Sequence, residues 1–265
     1  MKVISSQDNK LIKLASSLKH KKYRDEHKMF LVEGKRAVEE VQERPELLEA
    51  LFLDESQASE HRLECMPLNP ECYLVDDRLM KNICSTENPQ GIAALVRKPA
   101  WSWEDVLGKK GLLLLLDRVS DPGNMGSILR TSWALGVDGV LMTKGCVDPF
   151  SPKVVRATMG AIINIPVFQE VSQQQLDSLI MHGYRFLCTE IYEGEKYYSV
   201  KYDRASVIII GSEAQGVSDD IKRRCNQFIN IPMNPQVDSL NVAAACAIIV
   251  AEAWRQCHEA SLSLQ

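Results

Sequence analysis

The pattern of apolar and polar positions changes near residue 111. From there, short and almost continuously apolar runs alternate with segments of helical periodicity, beginning with the five leucines at 112–116. Apolar strands separated by helices are typical of a mostly parallel sheet with helices on both faces. The sequence therefore predicts an α/β domain over residues 111–265.

The first hundred residues show a weaker form of this alternation. Apolar residues at helical spacing follow Asp8 or Asn9, either of which is a plausible N-cap, and they predict one basic amphipathic helix. Strand-like segments and short helices then alternate as far as the sequence GIAALVR. We expect a smaller α/β domain over residues 1–97, because strands and helices alternate there as well. Residues 98–110 are charged and weakly periodic, and they are interpreted as a linker.

Charge is distributed unevenly along the chain. Lysine and arginine number 31 against 35 aspartate and glutamate residues, and the formal net charge of -4 indicates no polyanionic partner. Residues 1–36 differ, because they contain ten basic and four acidic side chains. Such a segment is either a binding surface for an anion or an ordinary solvated helix face.

The patterns of cysteine and histidine indicate the cellular compartment and whether a metal cofactor is expected. Eight cysteines occur without any C-x-x-C pair, which favours free thiols and a reducing, cytoplasmic compartment. The amino terminus lacks the apolar region of a signal peptide, and no apolar segment is long enough to span a membrane, so we expect neither export nor membrane insertion. The five histidines are too scattered for a zinc signature, so we expect no metal.

Three loops that follow apolar strands contain the residues best suited to chemistry. Their sequences are DRVSDPGNMGSILR, GSEAQGVS and IPMNPQVDSLNVA. Ligands of open parallel sheets bind outside the carboxyl ends of the strands, where these loops lie. The first loop matches neither the dinucleotide fingerprint nor the phosphate loop of nucleotide hydrolases. A simple tight turn before a helix starting at Ser127 is the alternative.

Several polar residues in these loops have two possible roles. Arg130 interrupts an apolar helix, and its planar guanidinium suits a phosphate, although it could equally lie on an exposed face. Glu213 could cap a helix or orient a ligand. Asp238 or Ser239 is expected to cap the alanine-rich final helix, with Asn241 in its first turn. That helix is either a core helix or a self-association face.

Together these segments resemble the SpoU, or TrmH-like, branch of the SPOUT RNA methyltransferases. The resemblance depends on DPGNMGSILRTSWALGVDGVLM, IIIGSEAQGVS and INIPMNPQVDSLNVAAACAI, which occur in this order. With the intervening SPKVVRATMGAIINIPV it covers nearly all of residues 111–258. The amino-terminal segment is more loosely similar to the ribosomal-protein-like substrate-binding domain that is often fused to this branch.

The resemblance implies properties that spacing and composition do not. They are S-adenosylmethionine as methyl donor, and a ribose 2′-hydroxyl of structured RNA as acceptor, with ribosomal RNA favoured over transfer RNA. A deep trefoil knot near the carboxyl end, which general fold rules would exclude, and a homodimer that completes the sites are also implied. Basic residues of the first domain would then contact the RNA backbone, namely Lys13, Lys19, Lys21, Lys22, Arg24 and Arg36.

The resemblance also transfers site residues, position by position. The donor-binding positions are Gly211, Gly216, Ile231 and Leu240. The polar active-site positions are Asn124, Arg130, Glu213, Ser239 and Asn241. One departure is NPQ at 234–236, where the family often has a glycine after Ile-Pro-Met-x. Because a guanidinium stays protonated in proteins, our hypothesis is that Arg130 clamps an RNA phosphate and orients the hydroxyl.

Two other classes of function are open at this point. One is a non-catalytic RNA-binding protein with the same fold, which would predict loss of polar motif positions. The other is a nucleotide-dependent dehydrogenase or hydrolase on an ordinary doubly wound sheet, against which the missing phosphate-loop patterns count.

Overall fold

The computed structural model describes residues 1–57, 71–203 and 205–262, with side chains described as far as Cys257. Cys65 and His61, two of the cysteines and histidines counted above, lie outside these residues. Two compact units are present. The first comprises Met1–Ala100 and Asp148–Ile163, and the second comprises Trp101–Val147 and Asn164–Gln265.

The regular elements of the described residues follow in chain order. The strands are β1 (Lys2–Ile4), β2 (Met29–Glu33), β3 (Leu48–Asp54), β4 (Glu71–Val75), β5 (Ile92–Arg97), β6 (Leu112–Asp117), β7 (Gly139–Met142), β8 (Val167–Phe168), β9 (Arg185–Thr189), β10 (Glu195–Lys196), β11 (Ser206–Gly211) and β12 (Gln227–Asn230). The α-helices are α1 (Lys10–Ser17), α2 (Lys21–His27), α3 (Lys35–Gln42), α4 (Asp77–Ile83), α5 (Trp103–Lys109), α6 (Pro122–Ala134), α7 (Pro152–Thr158), α8 (Gln173–Met181), α9 (Asp219–Lys222) and α10 (Val242–Leu262).

The first unit is built on a mixed sheet in the order β1-β4-β3-β5-β2. Strands β1, β4 and β3 run parallel, whereas β5 pairs antiparallel with both β3 and β2. The single basic helix predicted near the amino terminus is in fact two helices, α1 and α2. Asn9 is the N-cap of α1, since its side chain accepts a hydrogen bond from the Leu11 amide at 2.8 Å. This helix buries Ile12 and Ala15 in the core cluster of the unit.

Residues 148–163 belong to the first unit, whereas the sequence pattern assigned them to the second domain. Asp148 forms a buried ion pair with Arg24 at 2.6 Å, and Phe150 packs against Phe30 with ring centroids 5.1 Å apart. These contacts join positions more than a hundred residues apart, which local periodicity does not encode.

The predicted linker also contains α5, whose Val106 is buried in the core cluster of the second unit.

The second unit contains a seven-stranded sheet in the order β10-β12-β9-β11-β6-β7-β8. All its strand pairs are parallel, which confirms the predicted fold class. Helix α10 packs on α6 and β11. Its buried residues recur at helical spacing, so one face is a core face; they are Val242, Cys246, Ile249, Val250 and Ala253. No helix among the described residues has the length and apolarity needed to cross a membrane.

Candidate active site

Three of the predicted polar site residues form a continuous hydrogen-bonded chain. The Asn241 Nδ2 donates to the Asn124 Oδ1 at 2.9 Å, and the Asn124 Nδ2 donates in turn to the Glu213 Oε1. Asn124 is 89 residues from Glu213 and 117 residues from Asn241. One amide therefore bridges the loops that follow three different strands.

Helix caps fix the positions of two of these hydrogen-bonded residues, Asn124 and Asn241. Helix α6 begins at Pro122, five residues earlier than the sequence predicted, because Asp121 caps it by accepting from the Asn124 amide at 2.7 Å. Asn241 caps α10, since its Oδ1 accepts from the Ala243 amide at 2.9 Å. The predicted caps of that helix, Asp238 and Ser239, do not serve this role. Helix caps of this kind contribute about 1 kcal/mol each.

A pocket of about 320 Å³ lies at the carboxyl ends of the strands beside this chain. Its walls come from the segments after β9, β11 and β12 and from the start of α10. All four predicted donor-binding positions line it, together with Glu213 and Ser239; the four are Gly211, Gly216, Ile231 and Leu240. An apolar pocket with a few convergent polar groups is the usual form of a small-molecule site.

Two glycines shape the loop after β11 for different reasons. Gly211 is buried, and a Cβ built on it would overlap the backbone of Gly216 and Val217. Gly216 has a φ of 63°, in the left-handed region, with open space where its Cβ would be. An antiparallel bridge between Ser212 and Gly216 closes the turn. The chain path therefore requires glycine at 211 for space, and favours it at 216 for backbone conformation.

Sequence reasoning missed the two residues that brace this turn. Asp117, the last residue of β6, is buried and accepts from the Ser218 amide at 2.7 Å. Arg118 donates through Nη1 to the Gln215 Oε1 at 2.6 Å and through Nη2 to the Gly216 carbonyl at 3.3 Å. Arg118 also has a φ of 59°, which is uncommon for a non-glycine residue and was not readable from composition.

The loop after β12 folds without the glycine that the family often has. Strand β12 ends at Asn230. Asn234 then closes a turn, since its Oδ1 accepts from the Gln236 amide at 3.0 Å and its carbonyl from the Val237 amide at 2.9 Å. Asparagine side chains commonly form such turns. The departure at 234–236 therefore has a local structural explanation.

The remaining two polar candidates lie apart from the hydrogen-bonded chain. Ser239 is exposed at the pocket wall. Arg130 is exposed on α6, six residues beyond Asn124, which corresponds to about 9 Å along a helix axis. Its guanidinium has no hydrogen bond or ion pair within the parts of the chain that the structure describes, and it does not line the pocket.

An ion pair on the pocket wall was also missed. Lys222, the last residue of α9, pairs with Glu190, which directly follows β9, and both line the pocket. The hydrogen bond that Lys222 donates to the Glu190 carboxylate raises the pKa of Lys222 above its ordinary value. Neither position belongs to a recognisable motif, so only the folded chain identifies them.

The basic residues predicted to contact RNA differ in exposure within the first unit. Lys13, Lys19, Lys21, Lys22 and Arg36 are exposed. The prediction that Arg24 contacts RNA is wrong. Its side chain is only 4% exposed and donates to Asp148 and to the carbonyls of Leu18 and Lys19. A guanidinium held in this way is unavailable to a phosphate, so Arg24 stabilises the unit instead. No cluster of metal-ligating side chains occurs among the residues described here.

Comparison with known proteins places this parallel sheet and its strand-end pocket in a methyltransferase class. The SpoU rRNA Methylase family profile matches residues 111–251, and an MRM3-like substrate binding domain matches residues 9–94. The chain belongs to the SpoU rRNA methylase family, which confirms the resemblance.

Several relatives resemble nearly the whole chain. The 23S rRNA (guanosine(2553)-2'-O)-methyltransferase RlmP of Bacillus subtilis is 31% identical over 94% of this chain and 98% of its own. An uncharacterized tRNA/rRNA methyltransferase of Synechocystis is 33% identical over 96% and 93%. Among solved structures, the AdoMet-bound rRNA methyltransferase of Sinorhizobium meliloti has a TM-score of 0.82 at 27% identity, covering 96% of this chain and 97% of that one.

Proposed function

We propose that this protein transfers a methyl group from S-adenosylmethionine to a ribose 2′-hydroxyl of ribosomal RNA. The observation that carries the proposal is the chain Asn241–Asn124–Glu213, which lies beside a pocket lined by all four donor-binding positions. An inactive RNA-binding relative would be free to lose these polar side chains, whereas here they are present and mutually hydrogen-bonded.

The volume and the lining of the pocket support binding of the donor. Apolar side chains and backbone form most of its lining, and we assign the purine and ribose to the backbone groups of Gly211, Ile231 and Leu240. When bound, S-adenosylmethionine supplies an electrophilic methyl group on a sulfonium. A solved relative with a TM-score of 0.82 is described as AdoMet-bound, which supports this assignment.

The polar residues orient the acceptor. A ribose hydroxyl is a poor nucleophile until its proton is polarised or removed, and alignment of nucleophile with methyl supplies much of the barrier reduction. Asn124, held by Asn241 and Glu213, presents a fixed amide for this purpose. Arg130, exposed on α6, clamps the adjoining phosphate through its bidentate fork. Ser239 contributes a hydroxyl at the pocket wall.

Ribosomal RNA is favoured as the substrate. The Bacillus subtilis relative that covers 94% of this chain is named for 23S rRNA, and the first unit matches a substrate-binding domain. The exposed lysines of α1 and α2 are suited to a phosphate backbone. A cytoplasmic location would agree with such a substrate.

We further propose the homodimer and the trefoil knot that the resemblance implies. Helices α6 and α10 pack together, and α10 exposes Ala244, Ala251 and Trp254 while α6 exposes Trp133. Exposed tryptophan supports an interface here, because aromatic residues are enriched where protein surfaces associate. For the knot, the chain leaves β11 at the sheet centre, forms β12 beyond β9, and returns as α10 against α6 and β11.

The reaction is tested by mapping ribose 2′-O-methylation across ribosomal and transfer RNA. Cells that lack the gene are expected to lose one methylated nucleotide in ribosomal RNA, and the wild-type gene is expected to restore it. An Asn124→Ala gene is expected to leave the site unmethylated, because the bridging amide is gone. An unchanged map in fully covered RNA would favour the non-catalytic alternative, and a lost site in transfer RNA would overturn the substrate assignment.

The RNA surface is tested by substituting three lysines together. We expect Lys19→Ala, Lys21→Ala and Lys22→Ala to weaken RNA binding and to reduce the salt-dependence slope by about 2 to 3, because each phosphate contact releases counterions. Binding is measured by fluorescence anisotropy at several salt concentrations. Lys81→Ala, which removes an exposed ion pair of the same unit, is the control. An unaltered slope would identify these lysines as an ordinary solvated face.

A further inference from the structure

The ion pair between Glu190 and Lys222 lies on the wall of the donor pocket and not in the protein core. The Lys222 side chain is 33% exposed and that of Glu190 is 25% exposed, so both charges remain accessible from the pocket. Glu213 is the other charged residue that lines this pocket in the described part of the chain. Among the described residues, Lys222 is therefore the cation that lines this pocket, and it is paired with the Glu190 carboxylate.

Both side chains are carried on anchored backbone. The Glu190 amide donates to the Ile229 carbonyl at 2.8 Å, which ties it to β12. The Lys222 amide donates to the Ser218 carbonyl at 2.9 Å, and Ser218 is in turn held by the buried Asp117. Two opposite charges thus stand at defined positions beside Thr189 and Ile191, which also line the pocket.

The chemistry of such a pair suits one part of the donor. An adjacent cation and anion complement a zwitterion, since the carboxylate and ammonium of an amino acid can each meet an opposite charge. The purine and the ribose of S-adenosylmethionine are neutral, whereas its amino-acid end is a zwitterion. When the ion pair opens to accept a zwitterion, the contact between Glu190 and Lys222 is replaced by two contacts with the opposite charges of the ligand. No charge is then left unpaired.

We propose that Glu190 and Lys222 bind the amino-acid end of the donor, Lys222 at the carboxylate and Glu190 at the ammonium. This assignment rests on the proposed function, because it takes the pocket to be the donor site. It makes the two residues determinants of donor specificity. They select a ligand with an intact α-amino acid over a nucleoside that lacks it.

The test compares two ligands that differ in that end. Isothermal titration calorimetry is carried out with S-adenosylhomocysteine and with 5′-methylthioadenosine, which has no amino-acid group. Lys222→Met is expected to weaken S-adenosylhomocysteine binding by about 10- to 100-fold, the range for a lost charge-assisted hydrogen bond. Binding of 5′-methylthioadenosine is expected to change less than about twofold.

Further variants guard against a general loss of structure. Glu190→Gln keeps the size of the side chain and is expected to weaken only S-adenosylhomocysteine binding, by a similar factor. Lys222→Arg is expected to retain most of the affinity, because it keeps the charge. Lys201→Met removes an exposed lysine of the same unit that does not line the pocket, and it is expected to alter neither affinity.

The outcomes separate this inference from the proposed function. Equal weakening of both ligands, or no weakening of either, would overturn the inference while leaving the donor site intact. Wild-type protein that binds neither ligand would overturn the donor assignment itself. Selective loss of S-adenosylhomocysteine binding in Lys222→Met and Glu190→Gln would establish the inference.

Discussion

Gly211→Ala is expected to lower the affinity for S-adenosylhomocysteine by at least about 100-fold, near the upper end of overpacking costs. The added Cβ would overlap the backbone of Gly216 and Val217, which is not free to move as a side-chain end would be. The turn from Ser212 to Gly216 must then shift, and this turn lines the pocket that we propose for the donor. Titration calorimetry measures the affinity, and a thermal melt measures how far the fold is also destabilised.

Two other glycines provide matched controls for that substitution. Gly108→Ala lies in α5 with nothing near its Cβ, so it is expected to leave both affinity and melting temperature unchanged or slightly raised. Gly216→Ala has open space and only an unfavourable φ, which predicts a cost of about 1 kcal/mol. Equal effects at 211 and 216 would contradict the view that close backbone approach limits position 211.

Arg130→Ala is expected to lower the rate of methyl transfer by about 1,000-fold, comparable to removal of a preorganised donor at a reacting group. Its guanidinium is exposed and without a polar partner in the described chain, so the loss is not explained by broken internal contacts. Arg130→Lys keeps the charge but not the fork, and it is expected to retain only about 1 to 10% of turnover, because misorientation alone can cost about 100-fold. Single-turnover assays with radiolabelled donor measure both.

An unrelated arginine tests whether this effect is specific. Arg223→Lys changes an exposed arginine of the same unit that pairs with Asp220, and it is expected to retain full turnover. Donor affinity is expected to stay near the wild-type value in both Arg130 variants, since Arg130 does not line the pocket. If Arg130→Lys turned over at nearly the wild-type rate, the bidentate phosphate clamp would be excluded.

The active-site residue types were readable from the sequence, but their association was not. The family resemblance of the loop motifs identified Asn124, Glu213 and Asn241 one by one. Their hydrogen bonds link positions 89 and 117 residues apart. The sheet order, in which β11 pairs with β6 on one side and β9 on the other, is what brings these loops together.

The burial of Arg24 could not be predicted from its local sequence. Arg24 has the same sequence context as the exposed lysines Lys21 and Lys22, yet it is buried because Asp148, 124 residues away, supplies a partner. Asp148 belongs to residues 148–163, which lie in the first unit together with Arg24. An arginine without such a partner would remain at the surface.

The sequence by itself determined the parallel α/β sheet of the second unit, its family and the residue types of its loops. The sheet and the loops follow from strand and helix periodicity and from turn chemistry, which are local properties, whereas the family follows from the resemblance of the loop motifs. Only the tertiary structure decided that Arg118 hydrogen-bonds to the turn after β11, that Glu190 and Lys222 line the pocket proposed for the donor, and that Arg24 is buried. Those features depend on contacts between segments that are distant in the sequence. The order of the strands in each sheet brings these segments together, and no local pattern encodes that order.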